Sequence, residues 1–281
     1  MADTNVAAIN DLLPTIIAEA VPHFETTGNS KALVSNFTMT QGTLQIPTWD
    51  DTVSVYAMTE GVPMGTPQSM TTGNATITAA KYGAKVRITD EAVKRARNAG
   101  NYDLIQLSGK ELGVKLGKKV NSLVTGLFSG FATGSGSGSG TTLTPALLLT
   151  AYTTVYRRGT LSKPFAILDP WHLHYLKLDA LYRATYPVQP NAASAGEWMP
   201  DSEVVNGVTC YTDNDLTIAS SASYGAVLTK EALALGVEWS PADQIEVTRI
   251  EQTGWDVSAT VSCGVIEVKD LGGFYLNYKS A

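Results

Sequence analysis

Charged residues are scarce in this sequence: they make up 16% of its 281 positions, against about 25% in an average soluble domain. A monomer of this size normally covers its surface with charge, so the scarcity predicts that other chains cover part of that surface. A surface rich in serine and threonine would account for the same composition. Apolar residues make up 44%, which is enough for a sizeable core and excludes disorder of the whole chain.

Cysteine, histidine and long apolar runs are scarce as well. Cys210 and Cys263 lie far apart and form no C-x-x-C pattern, so we expect two buried thiols and no zinc site. His172 and His174 are separated by about 200° around a helix axis, so they cannot bind one ion together. No apolar run reaches the roughly 18 residues that a transmembrane helix needs.

The sequence also lacks a complete catalytic or phosphate-binding motif. The Gly-Ser alternation over 134–140 fits neither a nucleophile elbow nor a dinucleotide fingerprint, and we expect a flexible loop there. Gly117-Lys118-Lys119 is without the correctly spaced glycine of a phosphate loop, and the run from Asp213 to Asp215 lacks the glycine of a calcium loop. We therefore expect that the protein is not an enzyme and that it has no catalytic residue and binds no cofactor or metal.

Charge is unevenly distributed along the chain. Residues 81–119 contain ten basic and four acidic residues, whereas residues 201–281 contain four basic and twelve acidic ones. The first segment could therefore face a polyanion, although two ordinary solvated faces would give the same counts. No lysine occurs between Lys31 and Lys81.

Helical signals are clearest in the first two thirds of the chain. A short helix from Leu12 is expected to end at Pro22. Thr89 is expected to cap a helix, and an apolar stripe predicts a long helix over 102–128. Further helices are expected over 144–158 and 171–181, because Thr-Pro and Asp-Pro pairs begin them.

Strand signals predict a long two-stranded excursion over 42–89 with a bulge or strong twist near Ala79. Short strands are expected at 165–168, 204–211 and 226–228. Two longer strands, over 245–252 and 257–265, are expected to form the end of the chain. An isolated hairpin is marginal in water, so the excursion over 42–89 should lie on a partner surface.

Three glycines recur on one side of the long helix. Gly109, Gly113 and Gly117 are spaced four residues apart, and each costs roughly 1 kcal/mol relative to alanine in a helix interior. Their spacing predicts that a neighbouring element approaches the helix backbone closely along this line.

The order of these elements resembles a known family. An N-terminal arm, a long hairpin that leaves through Ile88–Glu91, a long helix, a strand running into Asp169-Pro170-Trp171, and a final pair of strands follow one another. This order resembles the major capsid proteins of tailed bacteriophages, which have the Hong Kong 97-type fold. The resemblance implies an α+β fold with an N-terminal arm (1–35), an extended loop (36–88), a peripheral domain with a spine helix (89–160), an axial domain (161–243) and returning peripheral strands (244–281).

The resemblance also implies a function, partners and sites. It implies a major capsid subunit that assembles as hexamers and pentamers into an icosahedral shell around viral double-stranded DNA, in the virion after assembly in the host cytoplasm. Scaffolding, portal and decoration proteins are the implied partners, and no membrane is involved. Three sites are expected. The assembly interface at the loop tip is formed by Glu60, Gly61, Val62, Pro63 and Met64. Close packing on the spine helix involves Gly109, Gly113 and Gly117, and lumenal contacts with DNA involve Lys110, Lys115, Lys118 and Lys119.

Two alternatives stay open at this point. An encapsulin-like nanocompartment shell would have the same fold and a different cargo. A soluble hydrolase would instead form a small oligomer with a concave pocket that holds a titratable group of perturbed pKa. The sequence departs from the family archetype, which joins its subunits covalently through a lysine of the extended loop. Because no lysine lies between Lys31 and Lys81, we expect non-covalent closure of the shell.

Overall fold

A computed structural model describes residues 4–49, 60, 72–98, 104–158, 162–178, 202–250 and 254–280. Within these residues the chain combines helices with three sheets, which confirms the predicted α+β class. The helices are α1 (Thr4–Thr26), α2 (Ser30–Leu33), α3 (Asp90–Asn98), α4 (Leu104–Gly126), α5 (Pro145–Arg157) and α6 (Pro170–Leu178). No helix in this part of the chain is long and apolar enough to cross a membrane.

Most of the described strands have seven residues or fewer, and two are longer. They are β1 (Ser35–Thr38), β2 (Thr43–Trp49), β3 (Thr72–Thr78), β4 (Ala80–Thr89), β5 (Gly134–Gly138), β6 (Phe165–Leu168), β7 (Ser202–Val205), β8 (Val208–Thr212), β9 (Ile218–Ala219), β10 (Ala222–Leu228), β11 (Leu233–Trp239), β12 (Ile245–Ile250), β13 (Gly254–Glu267) and β14 (Gly273–Lys279).

A five-stranded sheet forms around β13, which pairs with β4 on one side and with β11 and β12 on the other, while β1 pairs with β11. Alternate residues of β13, such as Val257 and Val261, face α4 and belong to the largest apolar core. The other face of this sheet carries β2 and β3, a two-stranded sheet. Met39 and Ile77 pack there against the glycines Gly236 and Gly264.

A seven-stranded sheet has the order β5-β14-β10-β6-β8-β7, with β9 added to β10. Helices α5 and α6 cover one of its faces, where Leu148 and Leu176 join a second apolar core. Residues of the opposite face, Ile167 and Leu228, join the core of α4 and the five-stranded sheet. The two sheets are therefore packed together through one shared core.

Local sequence signals place several helix boundaries as expected. The hydroxyl of Thr89 accepts a hydrogen bond from the Ala92 amide at 3.2 Å at the start of α3. Thr144 caps α5 in the same way at 3.4 Å, and the Asp169 carboxylate accepts a bond from the Trp171 amide at 2.8 Å. The phase slip near Ala79 is the point where the chain leaves β3 for β4 in another sheet.

Three local expectations were wrong. α1 continues through Pro14 and Pro22 to Thr26, although an internal proline removes a hydrogen bond and costs about 3 kcal/mol; its packing along α4 offsets this loss. The Gly-Ser run forms β5 on β14 and not a free loop. The segment over 204–211 is a hairpin, β7 and β8, turned by Asn206 and Gly207 at φ 50° and 85°, the left-handed conformation that an Asn-Gly turn adopts.

The two sheets divide the chain at positions other than the predicted domain boundaries. β11 lies within 161–243 yet joins the five-stranded sheet, and β14 lies within 244–281 yet joins the seven-stranded sheet. β5 and α5, within 89–160, also belong to the seven-stranded side. The sheet membership differs from the predicted boundaries because hydrophobic alternation identifies a strand but does not determine which strand it pairs with. The assignment of segments to peripheral and axial domains remains a prediction.

Candidate functional site

The glycine side of α4 receives α1. A β-carbon added at Gly109 would lie 2.9 Å from the carbonyl oxygen of Ile16, and one added at Gly117 would lie 2.9 Å from that of Phe24. A β-carbon at Gly113 would overlap the carbonyl oxygen of Ala20. Real β-carbons do not approach backbone oxygens this closely, so only glycine fits at these positions.

The two helices run parallel, because the contact positions rise together along both chains. Ile16 and Ala20 of α1 are completely buried in this contact. The element expected to approach the glycines is therefore the chain's own N-terminal arm, which the sequence pattern did not identify. A small-residue line lets two helix backbones approach closely and bury their apolar sides.

The N-terminal segment ends in a buried polar group that we call the Asp213 cluster: Asn29, Ser30, Asn121, Thr125, Asp213 and Asp215. The Asp213 carboxylate accepts hydrogen bonds from the Ser30 amide at 3.0 Å, the Ser30 hydroxyl at 2.5 Å and the Asn121 side-chain amide at 2.9 Å. Ser30 and Asn121 are fully buried and Asp213 is 3% exposed. Burial of a carboxylate is tolerated only where donors surround it, as they do here.

Lys31 lies beside this cluster and is buried. Its ammonium group lies 4.5 Å from the centre of the Phe24 ring and donates to the Phe24 carbonyl. Burial lowers the pKa of Lys31 to about 8, and the nearby carboxylates of Glu25, Asp213 and Asp215 offset only part of that effect. Sequence reasoning did not single out Lys31 or the Asp213 cluster.

The α4 lysines, Lys110, Lys115, Lys118 and Lys119, are all exposed. At 100° per residue they spread over the half of the helix circumference that faces away from Leu112, Leu116 and the glycines. Lys118 lies 3.8 Å from the Asp215 carboxylate, and Lys119 lies 5.0 Å from the centre of the Tyr82 ring. The structure thus brings these lysines to one solvent-facing side.

An open groove of about 540 Å³ lies between β4 and the N-terminal half of α4. Its walls are mostly apolar, and Leu107 within it is 46% exposed. Of the charged residues that line it, Lys85 and Arg87 point to the opposite face of β4 and pair with a carboxylate of β13, while Glu111 and Lys115 belong to α4. The groove is thus a mostly apolar surface without an excess of charge.

On the sheet face opposite α4, Lys85 and Arg87 of β4 bind the carboxylate of Asp256 on β13. The distances are 2.5 Å from Lys85 Nζ and 2.8 Å from Arg87 Nε. The hydrogen bonds from Arg87 and then from Lys85 lower the pKa of Asp256 to about 2. This group joins the two longest strands of the sheet by charge-assisted bonds.

The expected assembly interface at the loop tip lies almost wholly outside the described residues. Glu60 is exposed in a turn, while Gly61, Val62, Pro63 and Met64 are not among the described residues. The base of the hairpin is described as β2 and β3, paired in register from Thr43 with Thr78 to Trp49 with Thr72.

One serine and histidine pair was missed by sequence reasoning. Ser223 Oγ lies 3.0 Å from Nε2 of His172, which also lies 3.1 Å from the Tyr278 carbonyl oxygen. Both side chains are fully buried, so no substrate can reach the hydroxyl. Burial lowers the pKa of His172, and the pair joins α6 to β10 and β14. His174 is exposed on α6, and no group of three potential metal ligands occurs among the described residues.

Comparison with known proteins gives one family match. Residues 73–276 match the family model described as phage capsid protein, and among curated proteins no sequence matches the chain. The capsid of Ralstonia phage GP4 is similar in structure, with 11% identity, a TM-score of 0.67 and coverage of 92% of this chain and 91% of that one. The capsid of cyanophage P-SCSP1u is similar with 15% identity, a TM-score of 0.63 and coverage of 89% and 87%.

A third similar structure is the holo-SrpI encapsulin complex of Synechococcus elongatus PCC 7942. It shares 11% identity and a TM-score of 0.62, and the match covers 94% of this chain and 90% of that one. At such identities the likenesses concern the fold. They confirm the Hong Kong 97-type capsid fold expected from the order of elements.

Proposed function

The chain belongs to the phage capsid protein family, and on that premise we propose that it is the major capsid subunit, which assembles as hexamers and pentamers into an icosahedral shell. The observation that carries this proposal is the family match over 73–276 on a chain whose structure is similar to a phage capsid over 92% of its length. The low charge content supports it, because a shell subunit covers much of its surface with other copies.

The extended hairpin is the proposed contact with a neighbouring subunit, through Glu60, Gly61, Val62, Pro63 and Met64. The groove between β4 and α4 supports this part of the proposal as a receiving surface. The walls of the groove are mostly apolar, and so are Val62, Pro63 and Met64 at the loop tip. The base of the chain's own hairpin lies on the opposite face of the sheet, so a second copy is the better donor.

The α4 lysines are the proposed lumenal contact with packaged double-stranded DNA. Their exposure on one side of α4 supports this role, since packaged DNA needs only diffuse neutralisation of phosphates and no readout of bases. Scaffolding and portal proteins, with decoration proteins in addition, are the proposed partners during assembly in the host cytoplasm, and the virion is the proposed final location.

Electron microscopy of the expressed chain, alone and with a co-expressed scaffold, tests the proposal directly. We expect closed particles or isolated capsomers. A single monomer peak in light scattering under all salt and protein concentrations would refute it. An encapsulin-like role is the second candidate, favoured by the similarity to the SrpI complex; particles that contain a protein cargo and no nucleic acid would support that role instead.

A further inference from the structure

The chain folds into two halves. The spine half contains the five-stranded sheet with α1, α2 and α4, and the second half contains the seven-stranded sheet with α5 and α6. The described elements pass between the halves three times, through residues 127–133, 229–232 and 268–272.

These three connections meet at one place, which we call the junction. The Thr229 amide donates to the Gly272 carbonyl at 3.0 Å, and the Val268 amide donates to the Ala232 carbonyl at 2.8 Å. The Ala132 amide donates to the Asp270 carboxylate at 2.7 Å. These three crossings are therefore tied to one another.

The Asp213 cluster joins the same halves without a covalent connection. Asp213 follows β8 in the second half, whereas Asn121 belongs to α4 and Ser30 begins α2 in the spine half. The Asn29 side chain donates to the Thr212 carbonyl at 2.8 Å, and the Thr125 hydroxyl donates to the Asp215 carbonyl at 3.1 Å. Four residues of the spine half thus fasten one short loop of the second half through hydrogen bonds.

The Asp213 carboxylate and the junction lie apart along both halves. In α4, Asn121 lies five residues before the helix end at Gly126, about 7.5 Å at 1.5 Å per residue, and the connection over 127–133 follows. Along the second half, the Asp213 amide donates to the carbonyl of Leu168 at one end of β6, while Phe165 at the other end pairs with Leu228, which leads into the junction. The three steps along β6 from Phe165 to Leu168 span about 10 Å. Apolar side chains such as Phe128 and Leu216 fill the space between.

We propose that the Asp213 cluster is a latch that sets the angle between the two halves, and that docking of the N-terminal segment closes it. Apolar packing is not directional, so the core alone permits small rotations about the junction. A buried carboxylate that accepts several hydrogen bonds prevents such rotations, because any rotation would move its donors out of hydrogen-bonding distance. Two of those donors, the amide and hydroxyl of Ser30, come from the N-terminal segment that α1 holds on the glycines of α4.

This inference goes beyond the proposed function and does not depend on it. Intramolecular distances between spin labels test it, with one label at Lys110→Cys on α4 and one at Thr153→Cys on α5. Both positions are exposed, and the two native cysteines are buried and leave the labelling specific. Labelled chains are diluted with unlabelled chains so that only distances within one chain are measured. The same experiment therefore applies to free and to assembled protein.

We expect one narrow distance distribution in the otherwise unchanged chain. Ser30→Ala and Asp213→Asn should each add a second population shifted by several ångströms, and Ser30→Thr should restore the narrow one. Ser129→Ala, which removes a hydroxyl bonded only to the Gly126 carbonyl, should leave the distribution unchanged. If Asp213→Asn fails to fold, Ser30→Ala and Asn29→Ala still provide the test.

Gly113→Ala tests the role of the N-terminal segment, because it forces α1 away from α4 without altering the latch residues. It should produce the same second population. An unchanged distance distribution in Gly113→Ala would refute the idea that docking of the N-terminal segment closes the latch. Unchanged distributions in Ser30→Ala and Asp213→Asn, with only a lower melting temperature, would overturn the latch and leave the cluster as a contribution to stability.

Discussion

Replacement of Gly113 by alanine sets two effects of opposite sign against each other. In an exposed helix interior the change stabilises the helix by roughly 1 kcal/mol. At Gly113 the new methyl group would overlap the backbone carbonyl of Ala20, and no side-chain rotamer can relieve a clash with backbone. Over-packing of this kind costs about 1–3 kcal/mol. We therefore expect a net loss of free energy of unfolding.

The same helix provides graded comparisons. At Gly109 and Gly117 the added carbon would lie 2.9 Å from carbonyl oxygens, so α1 must move there as well, but by less than at Gly113. Gly126, also in α4, has no atom within 4 Å of an added carbon. The expected order of stability is Gly126→Ala above the unchanged chain, then Gly109→Ala and Gly117→Ala, and Gly113→Ala lowest.

Thermal unfolding of the unassembled subunit, followed by circular dichroism, measures this order. For a chain of this size about 1 kcal/mol corresponds to roughly 2 °C. The over-packing cost less the helix gain leaves a net loss of up to about 2 kcal/mol, so Gly113→Ala should melt up to about 4 °C lower. A melting temperature for Gly113→Ala equal to or above that of Gly126→Ala would refute the close contact between α1 and α4. Shells that form normally from Gly113→Ala would show that the contact is not needed for assembly.

Four further predictions concern assembly and pH. Deletion of residues 60–72 should leave a folded subunit that does not assemble, as seen by matched melting curves and absent particles; normal shells would count against the hairpin contact. Replacement of all four α4 lysines by glutamine should give particles that lose DNA at lower salt than the unchanged ones, and equal retention would remove the lumenal assignment. Denatured particles should run as single chains on a gel, because the tip of the extended loop has no lysine, and a covalent ladder would contradict this. Burial, and then the hydrogen bond and charge of Asp270, raise the pKa of Glu267 to about 7. Between about pH 4.5 and 7 the folded chain keeps a proton on Glu267 that the unfolded chain has lost, so the free energy of unfolding falls as pH rises through this window. In Glu267→Gln the melting temperature should fall less over the same window. An unchanged slope would show that Glu267 does not cause the fall.

Helix-capping signals, which are local in sequence, were reliable in this chain. Thr89, Thr144 and Asp169 each begin a helix where a capping side chain was expected, because a cap depends on residues two or three positions away. The Asn206-Gly207 turn carried an equally local signal and could have been predicted, since this pair adopts the left-handed conformation that a tight hairpin needs. The order of such elements was sufficient to identify the capsid fold.

Partners distant in sequence were not predictable. The glycines of α4 indicated that some backbone lies close, but α1 is separated from them by about ninety residues and its two prolines argued against a long helix. The Gly-Ser run became β5 because β14 pairs with it. Ser30 and Asp213 are separated by 183 positions, and nothing in either neighbourhood indicates the other.

Steric and hydrogen-bonding preferences within a few residues set the period of each element, the caps and the glycine line, so these features and the order of the elements could be read from the sequence. Which helix packs on the glycines, which sheet each strand joins and which donors surround Asp213 became known only from the folded chain. Those outcomes depend on free energies summed over the whole chain: packing along α4 outweighs two prolines in α1, and burial of one carboxylate requires donors brought from α2 and α4 at the same time.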